Sequence, residues 1–306
     1  MNLIKLIILE MRPKQWTKNL LLFAGLVFAH KLVDVPRALS AVAGFFIYCG
    51  LSGVVYIYND IKDADSDRQH PLKCKRPIAS GELPQPVALA VGFTLAAVCI
   101  ASGFLLNWPF GALALAYFLV MLLYSSVLKH VVILDLMIVA MGFVIRGVAG
   151  VLAISGPRPE DRIPITPWFI MCILFLALFI VICKRRHEIV LLSASARHHR
   201  PVLEHYSKDF LDQMVSVATA ATVLSYALYV TLGVRPDGGS PDKTGIHHPE
   251  LMIWTLPFVL YGIFRYLYLV YKRDEGGAPE VLLLQDPSLL VNVLLWFAAV
   301  VAIFYI

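Results

Sequence analysis

Four oxygen-bearing side chains are spaced for metal chemistry at the end of an apolar stretch. Asn59, Asp60, Asp63 and Asp67 follow about twenty almost wholly apolar residues. In a helix, Asp60, Asp63 and Asp67 occupy positions i, i+3 and i+7, so their carboxylates share one face, and Asp65 points elsewhere. Such carboxylates repel one another unless a cation lies between them, and Mg²⁺ binds oxygen ligands together with substrate phosphates. An acidic cluster is more often a solvated turn at a helix end, but this one lies at the end of an apolar stretch with basic residues beside it, which favours a magnesium site.

Basic residues lie close behind this acidic motif and recur later in the chain. Lys73 and Arg76 follow it directly, and a second cluster has the sequence Lys184-Arg185-Arg186-His187-Glu188. A helix dipole and the membrane topology explain one or two cations at a helix end. Three in a row, with Glu188 one turn after Lys184, favour a phosphate-binding site.

Two further basic groups allow more than one interpretation. The first has the sequence Arg12-Pro13-Lys14-Gln15-Trp16-Thr17-Lys18-Asn19. Taken alone, it fits an interfacial tryptophan anchor with snorkelling lysines. The second is Arg265, which lies among four tyrosines at positions 261, 266, 268 and 271. This group suits either phosphate binding or a marker of the membrane interface.

Ionisable side chains also occur within or beside apolar runs. These are Tyr124, Lys129, Asp135 and Arg146. Asp135 and Arg146 are about three helical turns apart and share one helix face. Because an ionisable group at membrane depth is costly, it faces a cavity or a partner. We favour the cavity, with structural burial as the alternative.

The composition is that of a membrane protein. Hydrophobic residues make up 59% of the 306 residues, charged residues 15%, and the mean hydropathy is +0.74. A soluble domain is about 45–50% apolar and 25% charged. None of the five cysteines forms a CxxC pair or a zinc-binding spacing. The sequence predicts one all-α, polytopic membrane domain over residues 1–306.

Nine apolar runs have the length of a membrane span, about 20 residues each. They lie at 19–36, 38–58, 87–106, 109–129, 131–153, 167–184, 210–233, 251–271 and 288–306. The first is the weakest, because His30, Lys31 and Asp34 shorten its apolar part. Residues 1–14 read as an interfacial amphipathic helix, not as a signal peptide. Residues 59–86 and 184–209 form the two charged connections.

The distribution of Lys and Arg predicts the orientation. With the N-terminus in the cytoplasm, 18 of the 26 basic residues fall on the cytoplasmic side and 6 on the opposite side. The positive-inside rule therefore places the N-terminus and the acidic motif in the cytoplasm. The C-terminus is predicted to lie outside.

Together these motifs resemble a known family. Asn59-Asp60-x-x-Asp63-x-x-x-Asp67 is similar to the NDxxDxxxD signature of the UbiA superfamily of intramembrane prenyltransferases. Arg76-Pro77-Ile78-Ala79-Ser80-Gly81 and Tyr124 to Lys129 resemble its RPxxSG and YSxxLK segments. The resemblance implies helices around a central cavity that is open to the lipid and capped on the cytoplasmic side.

One departure narrows the resemblance. Aromatic prenyltransferases of this superfamily carry a second aspartate-rich motif where this chain has the basic cluster at 184–188. That cluster and the opening at 12–19 look like the decaprenyl-phosphate phosphoribosyltransferase branch, as do Arg200-Pro201-Val202-Leu203-Glu204-x-Tyr206 and Gly277-x-Pro279-Glu280. The implied activity is transfer of 5-phosphoribose from phosphoribosyl diphosphate to a polyprenyl phosphate in the bilayer, for lipid-linked arabinose and cell-envelope polysaccharide synthesis.

The resemblance also suggests roles for the residues. Asn59, Asp60, Asp63 and Asp67 are expected to hold Mg²⁺ against the donor diphosphate. Further candidates for substrate binding are Lys18, Lys73, Arg76, Tyr124, Lys129, Asp135, Arg146, Lys184, Arg185 and Glu188. Lys184, Arg185 and Glu188 are assigned to the ribose 5-phosphate end. The expected location is a bacterial inner membrane.

Two other functions stay open. One is prenyl transfer to an aromatic acceptor, which the missing second aspartate motif disfavours. The other is a transporter or scaffold in which Asp135 and Arg146 line a path. A nucleic-acid partner is not expected, and the sequence leaves homo-oligomer formation and the polyprenyl length open.

Overall fold

In the computed structural model, residues 2–69, 73–156, 158, 161–191, 201–233, 249–273, 277 and 279–305 are described. Across these residues the chain forms helices and turns, without a strand. Eight helices are long and apolar enough to cross a membrane, which confirms an all-α, multi-pass architecture close to the nine predicted spans.

The α-helices are numbered here in chain order. They are α1 Leu3–Glu10, α2 Ala24–Phe28, α3 Val35–Lys62, α4 Ala64–Gln69, α5 Pro77–Ser80, α6 Gln85–Leu106, α7 Trp108–Ser126, α8 Leu134–Ile154, α9 Pro167–Leu191, α10 Lys208–Leu228, α11 Leu256–Lys272, α12 Pro279–Gln285 and α13 Pro287–Tyr305. Proline stands in the first turn of most long helices, where its missing N–H removes no helical hydrogen bond.

The first predicted span, 19–36, is not one continuous α-helix. Pro13–Phe23 forms a 3₁₀-helix that continues into the short α2, and α3 begins only at Val35. The segment still runs antiparallel to α3, since Arg12 contacts Asp60 near one end and Phe23 contacts Phe45 near the other. Because a 3₁₀-helix rises about 2 Å per residue, eleven residues reach farther than in an α-helix.

The helices pack into two compact units. The first unit comprises residues 1–26, 33–138 and 145–163. Its core lies among α3, α6, α7 and the 3₁₀ segment, with Tyr48 at the centre against Phe110 and Tyr117. Close approach requires glycine at Gly150, where a Cβ would overlap the Leu22 carbonyl.

The second unit comprises residues 27–32, 139–144 and 164–306. Its most extensive helix packing is between α9 and α10. A polar pair closes its apolar core, because Tyr226 bonds Thr255 at 2.6 Å and receives the Trp296 Nε1–H at 2.9 Å. The hydroxyls of Tyr226 and Thr255 and the Trp296 indole therefore have the partners that burial demands.

The connection after α3 is a series of short helices. Asp63 ends α3 with a non-helical backbone, and α4 follows at once. Arg76 then precedes Pro77 at the first position of α5, and Gly81 ends α5 with φ of 84°, a conformation that favours glycine. The chain thereby folds back so that Arg76 faces the carboxylates of α3 and α4.

Candidate active site

Asp60 and Asp67 lie together at the base of the candidate site. Both are buried, with 1% and 3% of their surface exposed. One Arg76 nitrogen, Nη1, joins them, at 3.0 Å from Asp60 Oδ1 and 2.5 Å from Asp67 Oδ2. Arg12 Nη2 contacts both oxygens of Asp60, at 2.5 and 2.6 Å. Two guanidinium groups therefore neutralise a buried carboxylate pair, as burial requires.

Asp63 belongs to a second ion pair. Its Oδ1 accepts a hydrogen bond from Lys129 Nζ at 2.6 Å, and its Oδ2 accepts one from the Asn59 amide at 3.0 Å. The helix break at Asp63 turns this carboxylate toward Lys129. The single helical face predicted for the three aspartates is therefore divided between two sets of cations.

The remaining charges of the motif lie at its edge. Lys73 Nζ is 3.6 Å from Asp67 Oδ1. Asp65 points away, as expected, and pairs with Arg68 at 2.7 Å with 94% of its side chain exposed. An exposed pair of this kind contributes little stability, about 0–1 kcal/mol.

A carboxyl group that the sequence reading left out borders the site. Glu10 is 1% exposed, and its Oε1 accepts the Ile78 N–H at 2.7 Å. Burial, followed by a hydrogen bond with Asp60, raises the pKa of Glu10 to about 7. Glu10 is therefore a carboxyl group next to Asp60 that gains or loses its proton near neutral pH.

The donor atoms suit a hard cation. Carboxylate and amide oxygens are the ligands that Mg²⁺ takes in proteins. Within the described part of the chain, no three His, Cys, Asp or Glu side chains converge closely enough to form a metal-binding group. The carboxylates are instead held by Arg12, Arg76 and Lys129, so a metal must displace some of these contacts. The donor chemistry fits magnesium that arrives with a phosphate ligand.

Arg146 lies in a buried polar network within the first unit. Its Nε donates to Asn19 Oδ1 at 2.8 Å, and its Nη2 donates to the Tyr117 hydroxyl at 2.6 Å. Asn19 in turn donates to Ser52 at 3.2 Å. These contacts join the 3₁₀ segment to α3, α7 and α8. Asp135 on the same helix has no exposed surface.

The basic cluster at 184–188 lies within α9 of the second unit. The helix continues through it to Leu191, so these residues occupy helical turns and not a loop. Arg185 Nη1 pairs with Glu188 Oε2 at 2.5 Å. Arg186 Nε pairs with Asp212 Oδ1, also at 2.5 Å, and its guanidinium stacks 3.9 Å from the Tyr271 ring centre.

Arg265 forms a separate ion pair in the second unit. Its Nε and Nη2 donate to the two oxygens of Asp286 at 3.1 and 2.7 Å, and its guanidinium stacks on Tyr268 at 5.3 Å. Asp286 also accepts the Leu289 N–H at 2.8 Å and caps α13. The hydrogen bonds from Arg265 hold the pKa of Asp286 below its usual range. The ion pair is compatible with both interpretations of the tyrosine group.

The structure thus gathers seven of the predicted residues in the first unit. They are Asn59, Asp60, Asp63, Asp67, Lys73, Arg76 and Lys129. Lys18 lies half-buried next to Asn19, and Tyr124 lies half-buried two residues before Ser126, whose hydroxyl bonds Tyr58. Arg200 lies outside the described residues.

Sequence reasoning missed Arg12 and Glu10 as members of this site. Both precede the first apolar run, where a charged residue has an ordinary explanation as an interfacial group. Arg12 adopts a left-handed backbone with φ of 52°, which is uncommon for arginine. The sequence did contain a signal for Arg12, because Arg12 precedes a proline in the same way as Arg76 does. The Arg-Pro pair at 76–77 belongs to the site.

Two curated relatives align along nearly the whole chain. Decaprenyl-phosphate phosphoribosyltransferase of Corynebacterium glutamicum is 32% identical over 100% of this chain and 88% of its own length. The protein of the same name from Mycobacterium tuberculosis is 30% identical, with 98% of this chain and 94% of its own length covered. This agreement extends over both units.

Solved structures show the same fold. A UbiA homolog from Archaeoglobus fulgidus bound to GPP and Mg²⁺ superimposes with a TM-score of 0.68 at 17% identity, over 98% of this chain and 100% of that chain. A digeranylgeranylglyceryl phosphate synthase gives a TM-score of 0.67 at 18% identity, over 99% of each. Residues 20–285 match the UbiA prenyltransferase family. The chain belongs to the UbiA prenyltransferase family.

Proposed function

We propose that this chain transfers 5-phosphoribose from phosphoribosyl diphosphate to a polyprenyl phosphate of the decaprenyl type and releases diphosphate. The full-length relatives that bear the name of this activity support an enzyme of this class. The observation that carries the proposal is the position of Arg12, Arg76 and Lys129 on the carboxylates of the acidic motif. Phosphoribosyl diphosphate carries a diphosphate and a 5-phosphate, and both need cations in addition to the metal.

The acidic motif is assigned to the diphosphate of the donor. Asn59, Asp60, Asp63 and Asp67 would hold Mg²⁺, which neutralises charge on a leaving diphosphate when it is bound. A UbiA homolog bound to GPP and Mg²⁺ supports a divalent metal in this fold. The cations that now pair with the carboxylates then become available for phosphate oxygens. Donor binding would replace ion pairs within the protein by contacts to the donor, which limits the desolvation cost of donor binding.

The reaction needs no general base from the chain. A lone pair of an acceptor phosphate oxygen forms the new bond to ribose C1, and the bond from C1 to the diphosphate oxygen breaks with its electron pair going to the diphosphate. A phosphate monoester is already largely ionised at neutral pH, because its second pKa is about 6. In-line displacement inverts C1. Carboxylates and arginines stabilise the opposite charges that separate in this step.

The basic cluster of α9 is assigned to the ribose 5-phosphate end. Lys184 and Arg185 supply phosphate donors, and Glu188 accepts from a ribose hydroxyl. Arg185 already holds Glu188 at 2.5 Å, so the two groups are ordered together. Lys18 and Tyr124 are assigned to the acceptor phosphate and its surroundings. Asp135 and Arg146 are assigned to the substrate cavity, where both are buried.

The chain is a multi-pass membrane protein, and we place its active site on the cytoplasmic side. The three-to-one bias of Lys and Arg supports this orientation, with the N-terminus inside and the C-terminus outside. A soluble phosphorylated donor is then accessible, while the polyprenyl tail stays in the bilayer. We also propose an inner-membrane location and a role in lipid-linked arabinose and cell-envelope polysaccharide synthesis, as the resemblance to the phosphoribosyltransferase branch implies.

Two substitutions test the assignment with labelled phosphoribosyl diphosphate and a polyprenyl phosphate. Asp63→Ala is expected to lower transfer by about 100-fold or more, because a metal ligand and the Lys129 pair are lost together. Lys184→Ala is expected to raise the donor KM about tenfold with a smaller change in kcat. Exposed Lys14 gives the control, since Lys14→Ala removes a cation outside the site. Wild-type transfer in Asp63→Ala would refute the metal assignment.

Prenyl transfer to an aromatic acceptor is the second candidate, because the family includes prenyltransferases and one neighbour in fold is bound to GPP. A product assay with a prenyl diphosphate and an aromatic acid decides between the two. Prenylated product without ribosylated lipid would replace the proposed activity.

A further inference from the structure

Glu10, the last residue of α1, and the two residues after it contact α5 and two positions of α3. Glu10 accepts the Ile78 N–H in α5 at 2.7 Å. Met11 packs on α3 at Gly53, where a Cβ would lie 2.7 Å from the Met11 methyl carbon. Arg12 turns the chain with φ of 52° and binds Asp60. The end of α1 is therefore built into the candidate site.

The Glu10 contact acts on the segment that carries Arg76. Ile78 occupies the second position of α5, where a backbone N–H has no partner within its own helix. The Glu10 carboxyl is the acceptor for this N–H, and it is almost wholly buried. Two residues earlier, Arg76 joins Asp60 and Asp67 through one nitrogen. Displacement of α5 therefore moves the guanidinium that both carboxylates share.

Packing beneath the contact fixes its geometry. Leu6, Ile57 and Ile78 belong to one buried apolar cluster. The opposite face of α1 exposes Leu3, Ile4, Ile8 and Leu9. Glu10 is thus a buried polar group on the inward face of α1, and burial without a hydrogen bond is costly. Its one described backbone partner is the N–H of Ile78.

We propose that Glu10 is a positioning residue for donor binding: through the Ile78 N–H it holds the 76–81 segment so that Arg76 meets Asp60 and Asp67. This inference rests on the proposed function for the identity of the donor. The hydrogen bond to the 76–81 segment does not depend on that identity. A glutamine keeps the acceptor oxygen at the same chain length, whereas an alanine removes it.

Hydrogen exchange of the substrate-free protein tests the structural half. In Glu10→Ala, amides of residues 78–83 are expected to exchange about tenfold faster than in the wild type, because one buried amide hydrogen bond is lost. Glu10→Gln is expected to stay within about threefold of the wild type. Glu82→Gln is the matched control, since Glu82 is exposed in the same connection. Unchanged exchange in Glu10→Ala overturns the inference.

Steady-state kinetics with phosphoribosyl diphosphate test the functional half. Glu10→Ala is expected to raise the donor KM about tenfold with kcat within about threefold, and Glu10→Gln is expected to restore both. Leu6→Ala controls for a purely structural loss, because it weakens the packing of α1 and leaves the Ile78 N–H acceptor in place. Its thermal stability is expected to fall while its donor KM stays within about twofold.

The outcomes separate the two proposals. If Glu10→Gln is as defective as Glu10→Ala, or Leu6→Ala raises the donor KM equally, Glu10 is not a positioning residue. A wild-type protein that transfers no phosphoribose overturns the proposed function, and the exchange measurement then decides the role of Glu10 by itself.

Discussion

The acidic and basic motifs satisfy their charges in different ways. In the acidic motif, Asp60 pairs with Arg12 and Arg76, which lie 48 and 16 residues away in sequence. In the basic motif, Arg185 pairs with Glu188, only three residues away on the same helix. A local pair survives wherever its helix forms, whereas a long-range pair exists only in the folded unit. The Asp60 ion pairs therefore depend on tertiary structure more strongly than the Arg185–Glu188 pair does.

The same difference occurs between neighbouring residues within the basic motif. Adjacent residues in the basic motif have different surroundings: Arg186 links α9 to Asp212 of α10 and Tyr271 of α11. Arg185 is engaged within its own helix. Sequence proximity alone would have assigned one role to both. Arg186 therefore joins three helices of the second unit, and the proposed donor contact is assigned to Arg185, whose Glu188 partner lies on the same helix.

The largest effect is expected from the buried carboxylates. Asp60→Asn removes the charge that Arg12 and Arg76 share and one proposed metal ligand. We expect transfer to fall by about 100-fold or more, about 2.7 kcal/mol in activation free energy. The control is Asp65→Asn, in the same motif but with its side chain 94% exposed, which is expected to keep activity within about twofold. More than a tenth of wild-type activity in Asp60→Asn would contradict the comparison.

An intermediate effect is expected from the two adjacent arginines. Arg185→Ala should raise the donor KM about tenfold, because it removes a phosphate donor. Arg186→Ala should instead lower the free energy of unfolding by about 2 kcal/mol, since a hydrogen bond to a charged partner and a stacked ring are lost. The measurements are donor KM and thermal unfolding in detergent. Equal KM changes in the two variants would show that Arg186 also contacts the donor.

The smallest effect is expected from a pair outside both motifs. Asp286 has a lowered pKa in the folded protein because Arg265 donates two hydrogen bonds to it. A lowered pKa adds stability that is present above the unfolded pKa, about 3.9, and is lost as the pH falls through the folded pKa. The stability difference between the wild type and Asp286→Asn should therefore be constant from pH 8 to about 5 and shrink below about 4.

Thermal unfolding of both proteins across this range is the measurement. Donor KM at pH 7 should agree within about twofold, because the pair lies outside the proposed site. A difference that grows as the pH falls would contradict the assignment of the shift to Arg265.

Much of the fold can be predicted from the sequence, because each span satisfies its own backbone hydrogen bonds. A helix satisfies its hydrogen bonds internally, so apolar runs of membrane length predict helices without any knowledge of their neighbours. The exception is residues 19–36, where a 3₁₀ segment and a five-residue helix replace the predicted span. Its shape depends on packing against α3 and α8, with Gly150 admitting the Leu22 backbone. Sequence periodicity does not encode that contact.

The sequence by itself determined the membrane architecture, the acidic motif and the basic motif, since length, composition and local spacing suffice for these. Only the tertiary structure decided which cation meets which carboxylate. It divided Asp63 from Asp60 and Asp67, brought Arg12 into the site and bound Arg146 to Asn19 and Tyr117. The physical reason is that ion pairs and buried hydrogen bonds form between atoms about 3 Å apart. Such proximity comes from the packing of distant segments.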